Sequence, residues 1–186
     1  MNSNQQISDY IFFYPDVMDA KTCEWIINRY DTTAKWQQST FYNGAENTGT
    51  SQVAMDEYWI GSPEPYYKDI KESFEYCVND YTSVHDKIKS KDFTDFRINR
   101  YEAGGFMKQH IDGIHHSHGQ KQGYPHLTSL IFLNDDYKGG DFVLCGDKYI
   151  EKIQGSAVVF PSNFMYPHEV KEVTEGKRYS VMTWIL

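Results

Sequence analysis

Apolar side chains recur at two different periods along this chain, and the change of period divides it. Near the start, Cys23, Ile26, Ile27 and Tyr30 fall on one face of a helix, with Asp19 standing where an N-cap belongs. A second stripe, Tyr67, Ile70, Phe74, Cys77, Val78 and Tyr81, follows Ser62, which can cap, and Pro63, which suits a first helical position. Two amphipathic helices are expected, each with a stripe that needs a surface to cover. Between them YNGAENTGTSQVAMDEYWIG, rich in Gly, Asn and Thr, reads as a loop with a strand at its end.

From Phe93 onward the chain breaks into short runs of β-branched and aromatic residues separated by Gly, Asn and Asp clusters. The runs are FTDFRINRYEAG, MKQHID, HLTSLIFLND, GDFVLCG, KYIEKI, GSAVVFPS, HEVKEVT and KRYSVMTWIL. Short strands without intervening helices point to an antiparallel sandwich or barrel, mainly β, with the two helices packed on its outer face. The expectation is a single domain over residues 1–186, with a helical buttress over about 15–90 and a β core over about 93–186. The length of 186 residues suffices for one sizeable core. An aromatic content of 16%, with 15 Tyr and 11 Phe, suits flat side chains packed across sheets and disfavours an all-helical fold.

Charge and cysteine usage narrow the function classes. The formal net charge is -8 and the basic residues are scattered, so no stripe exists to track phosphates and nucleic acid is not an expected partner. Cys23, Cys77 and Cys145 lie far apart and form no CxxC pair, which reads as buried thiols in a reducing compartment. The N-terminal MNSNQQISDYIFFYPD lacks a basic start, and no apolar run is long enough to span a bilayer. A soluble, cytoplasmic protein with no membrane partner is therefore expected.

The chemistry concentrates in QHIDGIHHSHG. His110 and Asp112, two positions apart, leave the same face of an extended segment and can converge on one point. A third ligand from another strand, for which His168 in NFMYPHEVKEV is the candidate, would complete a set of two histidines and one carboxylate. That set leaves positions open on Fe(II). In the last run Arg178, Ser180, Met182 and Trp184 share one face by period two, and an arginine on a buried face calls for an anion that its planar fork can grip. Tyr101, on the face of DFRINRY shared with Arg97 and Asn99, can donate its hydroxyl to the same anion. The bland readings of these residues are a surface histidine beside an acid, a turn-flanking Lys177–Arg178 pair and a core tyrosine. No GxSxG elbow, phosphate-cradling GxxxxGK[ST] or HExxH occurs.

Taken in order, YEAGGFMKQHID, LIFLNDDYKGGDF, GSAVVFPSNFMYPHEV and GKRYSVMTWIL carry six elements. They are a Tyr-x-x-Gly segment, an HxD, a strand ending in Leu-Asn-Asp, a Gly-Gly-Asp turn, a Gly before an apolar strand ending in Phe, and a distal His followed by a basic residue. From about Phe93 to Leu186 the chain resembles the catalytic core of the Fe(II)- and 2-oxoglutarate-dependent dioxygenases, in their prolyl 4-hydroxylase-like branch. The resemblance implies a distorted double-stranded β-helix, or jelly roll, with iron near the mouth of the barrel. It implies His110, Asp112 and His168 as iron ligands and Arg178, helped by Tyr101, on the distal carboxylate of 2-oxoglutarate. Thr128 is a candidate for the same pocket, and Trp184 for its wall; core packing is the alternative for both.

Such an enzyme uses Fe(II), O2 and 2-oxoglutarate, with ascorbate as reductant, to hydroxylate a C–H bond and release succinate and carbon dioxide. A prolyl residue of a peptide or protein is the leading substrate. The chain departs from the branch where an Arg-x-Ser is usual, offering Gly49 and Ser51, and has Lys152 in place of a proline before the GSAVVF strand. The alternatives are a dioxygenase of a free amino acid or other small molecule, a nucleic-acid demethylase, and a jelly-roll module that binds metal or ligand without catalysis. His115, His116, His118 and His126 are assigned to a polar loop over the mouth rather than to a second metal site.

Overall fold

Asp19 caps the first helix as its position requires, accepting from the backbone N–H of Thr22 at 3.0 Å and its hydroxyl at 2.6 Å. The computed structural model describes residues 6–40, 52–89, 92–112 and 125–186. Strand β1 (Phe12–Tyr14) precedes helix α1 (Ala20–Thr33); β2 (Gln37–Gln38), β3 (Val53–Ala54) and β4 (Asp56–Ile60) lead to α2 (Tyr67–Val84). The remainder is strands: β5 (Phe96–Tyr101), β6 (Phe106–His110), β7 (Leu127–Phe132), β8 (Lys138–Gly139), β9 (Phe142–Leu144), β10 (Lys148–Tyr149), β11 (Ala157–Pro161), β12 (His168–Val170), β13 (Val173–Glu175) and β14 (Arg178–Ile185).

Helix α2 starts later than Ser62 and Pro63 indicate. Its N-cap is Tyr66, held in the left-handed region at φ 63°. Pro65 is the cause: the residue before a proline is steered away from helical backbone, so Ser62–Tyr66 forms turns, with Glu64 N–H bonded to the Gly61 carbonyl at 2.9 Å.

Among the described residues the strands make a seven-stranded sheet in the order β1-β11-β7-β14-β5-β4-β2, facing a five-stranded sheet, β10-β9-β12-β6-β3, with β8 and β13 forming a small ribbon. Among the described residues the pairings in the two large sheets are antiparallel, the arrangement of a jelly roll. The portion expected to be a helical buttress also supplies strands to both sheets, β4 and the edge strand β2 to one and the edge strand β3 to the other, while β1, just before it, forms the opposite edge of the larger sheet. Phe12–Tyr14 is too short for its alternation to show in sequence.

Alternation along the long sheet divides its side chains between two apolar layers. Ile98, Ile131, Val159, Val181 and Ile185 face the helices and pack with Cys23, Ile26, Tyr30, Ile70, Phe74 and Tyr81. Leu130, Phe132, Val158, Phe160, Met182 and Trp184 face inward and pack with Val53, Phe142, Leu144 and Val170 of the opposing sheet. Each fully covered side chain of this size contributes about 1.5–3 kcal/mol relative to exposure. The outer layer is also pinned by charge: Asp31 of α1 accepts from Tyr179 at 2.7 Å and from Arg100 at 2.9 Å, and Arg100 reaches Asp56 at 2.8 Å. This network grips β14 one residue from Arg178.

Candidate metal centre

His110 ends β6 and His168 begins β12, and the two are direct cross-strand partners, their ring centroids 4.2 Å apart. Asp112 lies just past β6. Its Oδ1 is 3.8 Å from His110 Nε2 and its Oδ2 is 3.4 Å from His168 Nε2, and one ligand atom from each of the three residues lies within 4.8 Å of the others. All three side chains are only 6–7% exposed. The His110 separation is beyond a hydrogen bond.

The orientation of both rings is set by the backbone. His110 Nδ1 lies 2.9 Å from the Lys108 carbonyl and His168 Nδ1 lies 3.1 Å from the Tyr166 carbonyl. A carbonyl only accepts, so each Nδ1 carries the proton and each Nε2 keeps its lone pair for the shared space. Burial, reinforced by the neighbouring His168, holds the His110 imidazole well below its usual range, so it is neutral at neutral pH. Burial alone would raise the Asp112 carboxyl, but the His168 and His110 imidazoles outweigh it, with smaller contributions from the Thr128 hydroxyl and the Trp184 indole, and keep it below the ordinary carboxylate range. A neutral imidazole beside an ionised carboxylate is the protonation state a divalent cation needs.

Asp112 is held from the other sheet. Thr128 of β7 donates its hydroxyl to Oδ2 at 2.8 Å and lies 2.6 Å from the Ser162 hydroxyl. Trp184 pairs with Thr128 across β14 and β7. Its ring lies 6.1 Å from Trp59 and 5.4 Å from the guanidinium of Arg97, which also reaches Glu57 at 3.4 Å. Phe142 and Phe160 close over His168, with centroids 5.6 and 5.0 Å from its ring.

Farther along the inner face, Arg178 is 0% exposed. Its Nη1 donates to Ser180 Oγ at 3.1 Å, while Nε and Nη2 are buried with no partner among the described residues. The guanidinium sits 5.0 Å from the Tyr101 ring centroid and 5.5 Å from that of Phe132. A buried cation with two unpartnered nitrogens among the described residues, one bond to a serine hydroxyl and aromatic faces around it is a site for an anion.

Residues 96–186 match the model of the 2OG-Fe(II) oxygenase superfamily. Over that segment, which makes up its β core, the chain is similar to the superfamily. A PKHD-type hydroxylase of Synechococcus sp. (strain CC9311) is 26% identical over 174 residues, which cover 91% of this chain and 74% of that protein. A PKHD-type hydroxylase of Rippkaea orientalis (strain PCC 8801 / RF-1) is 35% identical over 93 residues, 47% of this chain and 40% of the relative. Among solved structures, a Pseudomonas putida prolyl-4-hydroxylase superposes with a TM-score of 0.71 at 16% identity, over 95% of this chain and 91% of that one. A Trichoplax adhaerens prolyl hydroxylase in complex with a hypoxia inducible factor peptide fragment gives 0.73 at 18% identity, over 96% and 84%. These structural likenesses establish the jelly-roll fold.

In this fold His110, Asp112 and His168 come together, and Tyr101 pairs in register with Arg178 across β5 and β14. Thr128, read in sequence as part of the anion pocket, bonds to Asp112, and Trp184 lines the same end. Arg97, Trp59, Ser162 and Tyr137 were not singled out. The alternation of β5 already places Arg97 on the face of Tyr101, whereas Ser162 and Tyr137 lie outside strands, where no period applies. His115, His116 and His118, with Gly49 and Ser51, lie outside the described residues. No helix among the described residues is long and apolar enough to cross a membrane.

Proposed function

We propose that this chain is a 2-oxoglutarate-dependent hydroxylase in which His110, Asp112 and His168 hold one Fe(II) and Arg178, with Tyr101, grips the far carboxylate of 2-oxoglutarate. The observation that carries the reading is the presence of two incomplete sites in one interior, between the two facing sheets. One consists of two Nε2 lone pairs and a carboxylate converging on one space; the other is a buried arginine with unused donors. The donor set of two imidazoles and one carboxylate fits Fe(II) and leaves positions for other ligands. With iron, O2 and 2-oxoglutarate bound, the centre supplies oxidative decarboxylation to succinate and carbon dioxide coupled to hydroxylation of a C–H bond. The protein contributes position and dryness. The Lys108 and Tyr166 carbonyls fix the imidazoles, Thr128 fixes Asp112, Arg178 orients the co-substrate, and Phe142, Phe160 and Leu144 keep water from the site.

The prime substrate of this reading is a prolyl residue in a peptide or protein. PKHD-type hydroxylases among the sequence relatives and the peptide-bound Trichoplax prolyl hydroxylase among the fold relatives support it. Ascorbate serves as reductant, and a cytoplasmic setting suits an Fe(II) centre in a chain whose Cys23 and Cys77 are free, buried thiols.

Purified protein supplied with Fe(II), ascorbate and 2-oxoglutarate is expected to release succinate even without prime substrate, measured by mass spectrometry, and to require both iron and 2-oxoglutarate. Absence of turnover together with absence of 2-oxoglutarate binding by calorimetry refutes the reading. Thr128→Val keeps the shape of the side chain and removes the hydroxyl that orients Asp112. Iron affinity is expected to fall about 10–100-fold, the usual effect of losing an outer hydrogen bond to a ligand. Competition with a chelator measures it, and unchanged affinity would separate Thr128 from the metal.

A further inference from the structure

We propose that Tyr137 is a further donor to the far carboxylate of 2-oxoglutarate beside Arg178 and Tyr101, its side chain and that of Arg178 brought together against the bare backbone of Gly140. The proposal rests on the reading of the site given above and adds to it a residue in the connection between β7 and β8.

Tyr137 is 5% exposed, and its hydroxyl is buried with no hydrogen-bond partner among the described residues, as are Arg178 Nε and Nη2. The two side chains meet at Gly140. A Cβ built on this residue, whose φ is +63°, would lie 2.9 Å from Tyr137 Cε2 and 3.2 Å from Arg178 Cδ. The phenol edge and the root of the guanidinium therefore both pack against Gly140, and Tyr137 belongs to the cluster that also contains Tyr101 and Phe132. The Tyr137 ring is held in place by Lys152, whose ammonium lies 5.2 Å from the ring centroid and is itself tied to the Gly139 carbonyl at 3.0 Å and to Asp141 at 3.2 Å.

A packing role alone does not explain the hydroxyl. Phenylalanine would fill the same volume without burying an unpaired polar atom, which costs stability. An anion placed against Arg178 satisfies the orphaned donors of both residues. A diacid would be gripped at its far end by a guanidinium and a phenol, which a 2-oxo acid without the second carboxylate cannot exploit.

The test uses anaerobic Fe(II)-loaded protein, titrated calorimetrically with 2-oxoglutarate and with 2-oxopentanoate, which keeps the 2-oxo acid and lacks the far carboxylate. Metal-free protein is melted in parallel. Tyr137→Phe is expected to weaken 2-oxoglutarate about tenfold to a hundredfold, the worth of a hydrogen bond to a charged group. It should leave 2-oxopentanoate within about twofold and the metal-free melting temperature unchanged or higher. Undiminished 2-oxoglutarate affinity in Tyr137→Phe, when Arg178→Met has lost it, overturns the role of Tyr137 and leaves the pocket reading standing. Equal weakening of both ligands, or a lowered melting temperature, assigns Tyr137 to structure and also overturns it. Failure of the unaltered protein to bind 2-oxoglutarate at all removes the underlying reading.

Discussion

Asp112→Ala is expected to abolish succinate release and to leave the purified protein without iron after dialysis, as judged by elemental analysis. Asp112 contributes the only carboxylate to the cluster, and its two oxygens face the two Nε2 atoms at 3.8 and 3.4 Å. Without it two imidazoles remain, a set with neither the carboxylate charge nor the third point that fixes a facial site. The loss of affinity should exceed the roughly 10–100-fold expected for a residue one step removed from the metal, which separates Asp112 from Thr128 by size of effect. The fold should survive, because the histidines stay bonded through Nδ1 to Lys108 and Tyr166. Full turnover in the alanine variant would refute the metal assignment.

Arg178→Met is expected to have opposite effects on co-substrate binding and on stability. The guanidinium is 0% exposed, and none of its contacts among the described residues is with a carboxylate. Binding a carboxylate there forms a buried, charge-assisted pair whose loss costs about 3–5 kcal/mol, so 2-oxoglutarate affinity should fall by at least about a hundredfold. The metal-free variant, relieved of an uncompensated buried charge and left with a flexible apolar side chain of similar length, should melt at or above the temperature of the parent. Calorimetry reads the first effect and thermal denaturation the second. A variant that binds 2-oxoglutarate as well as the parent would remove the anion role, and a large fall in melting temperature would make Arg178 a structural residue. Lysine at this position keeps the charge and loses the fork, and should fall between the two.

The fold was legible where a period ran long enough to count. In β14 the alternation of Arg178, Ser180, Met182 and Trp184 with Tyr179, Val181 and Ile185 is written in the sequence and reappears as an inward and a helix-facing layer. Asp19 announced α1 because a cap is a local device. The start of α2 was misplaced because Pro65, two residues beyond Pro63, overrides the earlier signal. Short edge strands such as β1 and β2 carry too few residues for any pattern. At the site, the spacing of His110 and Asp112 was local, but the facing of His110 and His168 is a property of strand pairing, and the ordered series of motifs rather than any spacing joined them. Tyr137 and Ser162 are not legible in the sequence, because buried hydroxyls outside strands look like any others until the space around them is known.

The three clustered side chains belong to two different sheets in their support. His110 and His168 are rungs of the five-stranded sheet, while Asp112 is tethered by Thr128 to the seven-stranded one. An ion seated among them would act as a clasp across the open end of the sandwich, tying folded-state stability to metal supply by mass action. Iron scarcity would then lower the stability of the folded protein as well as silence it.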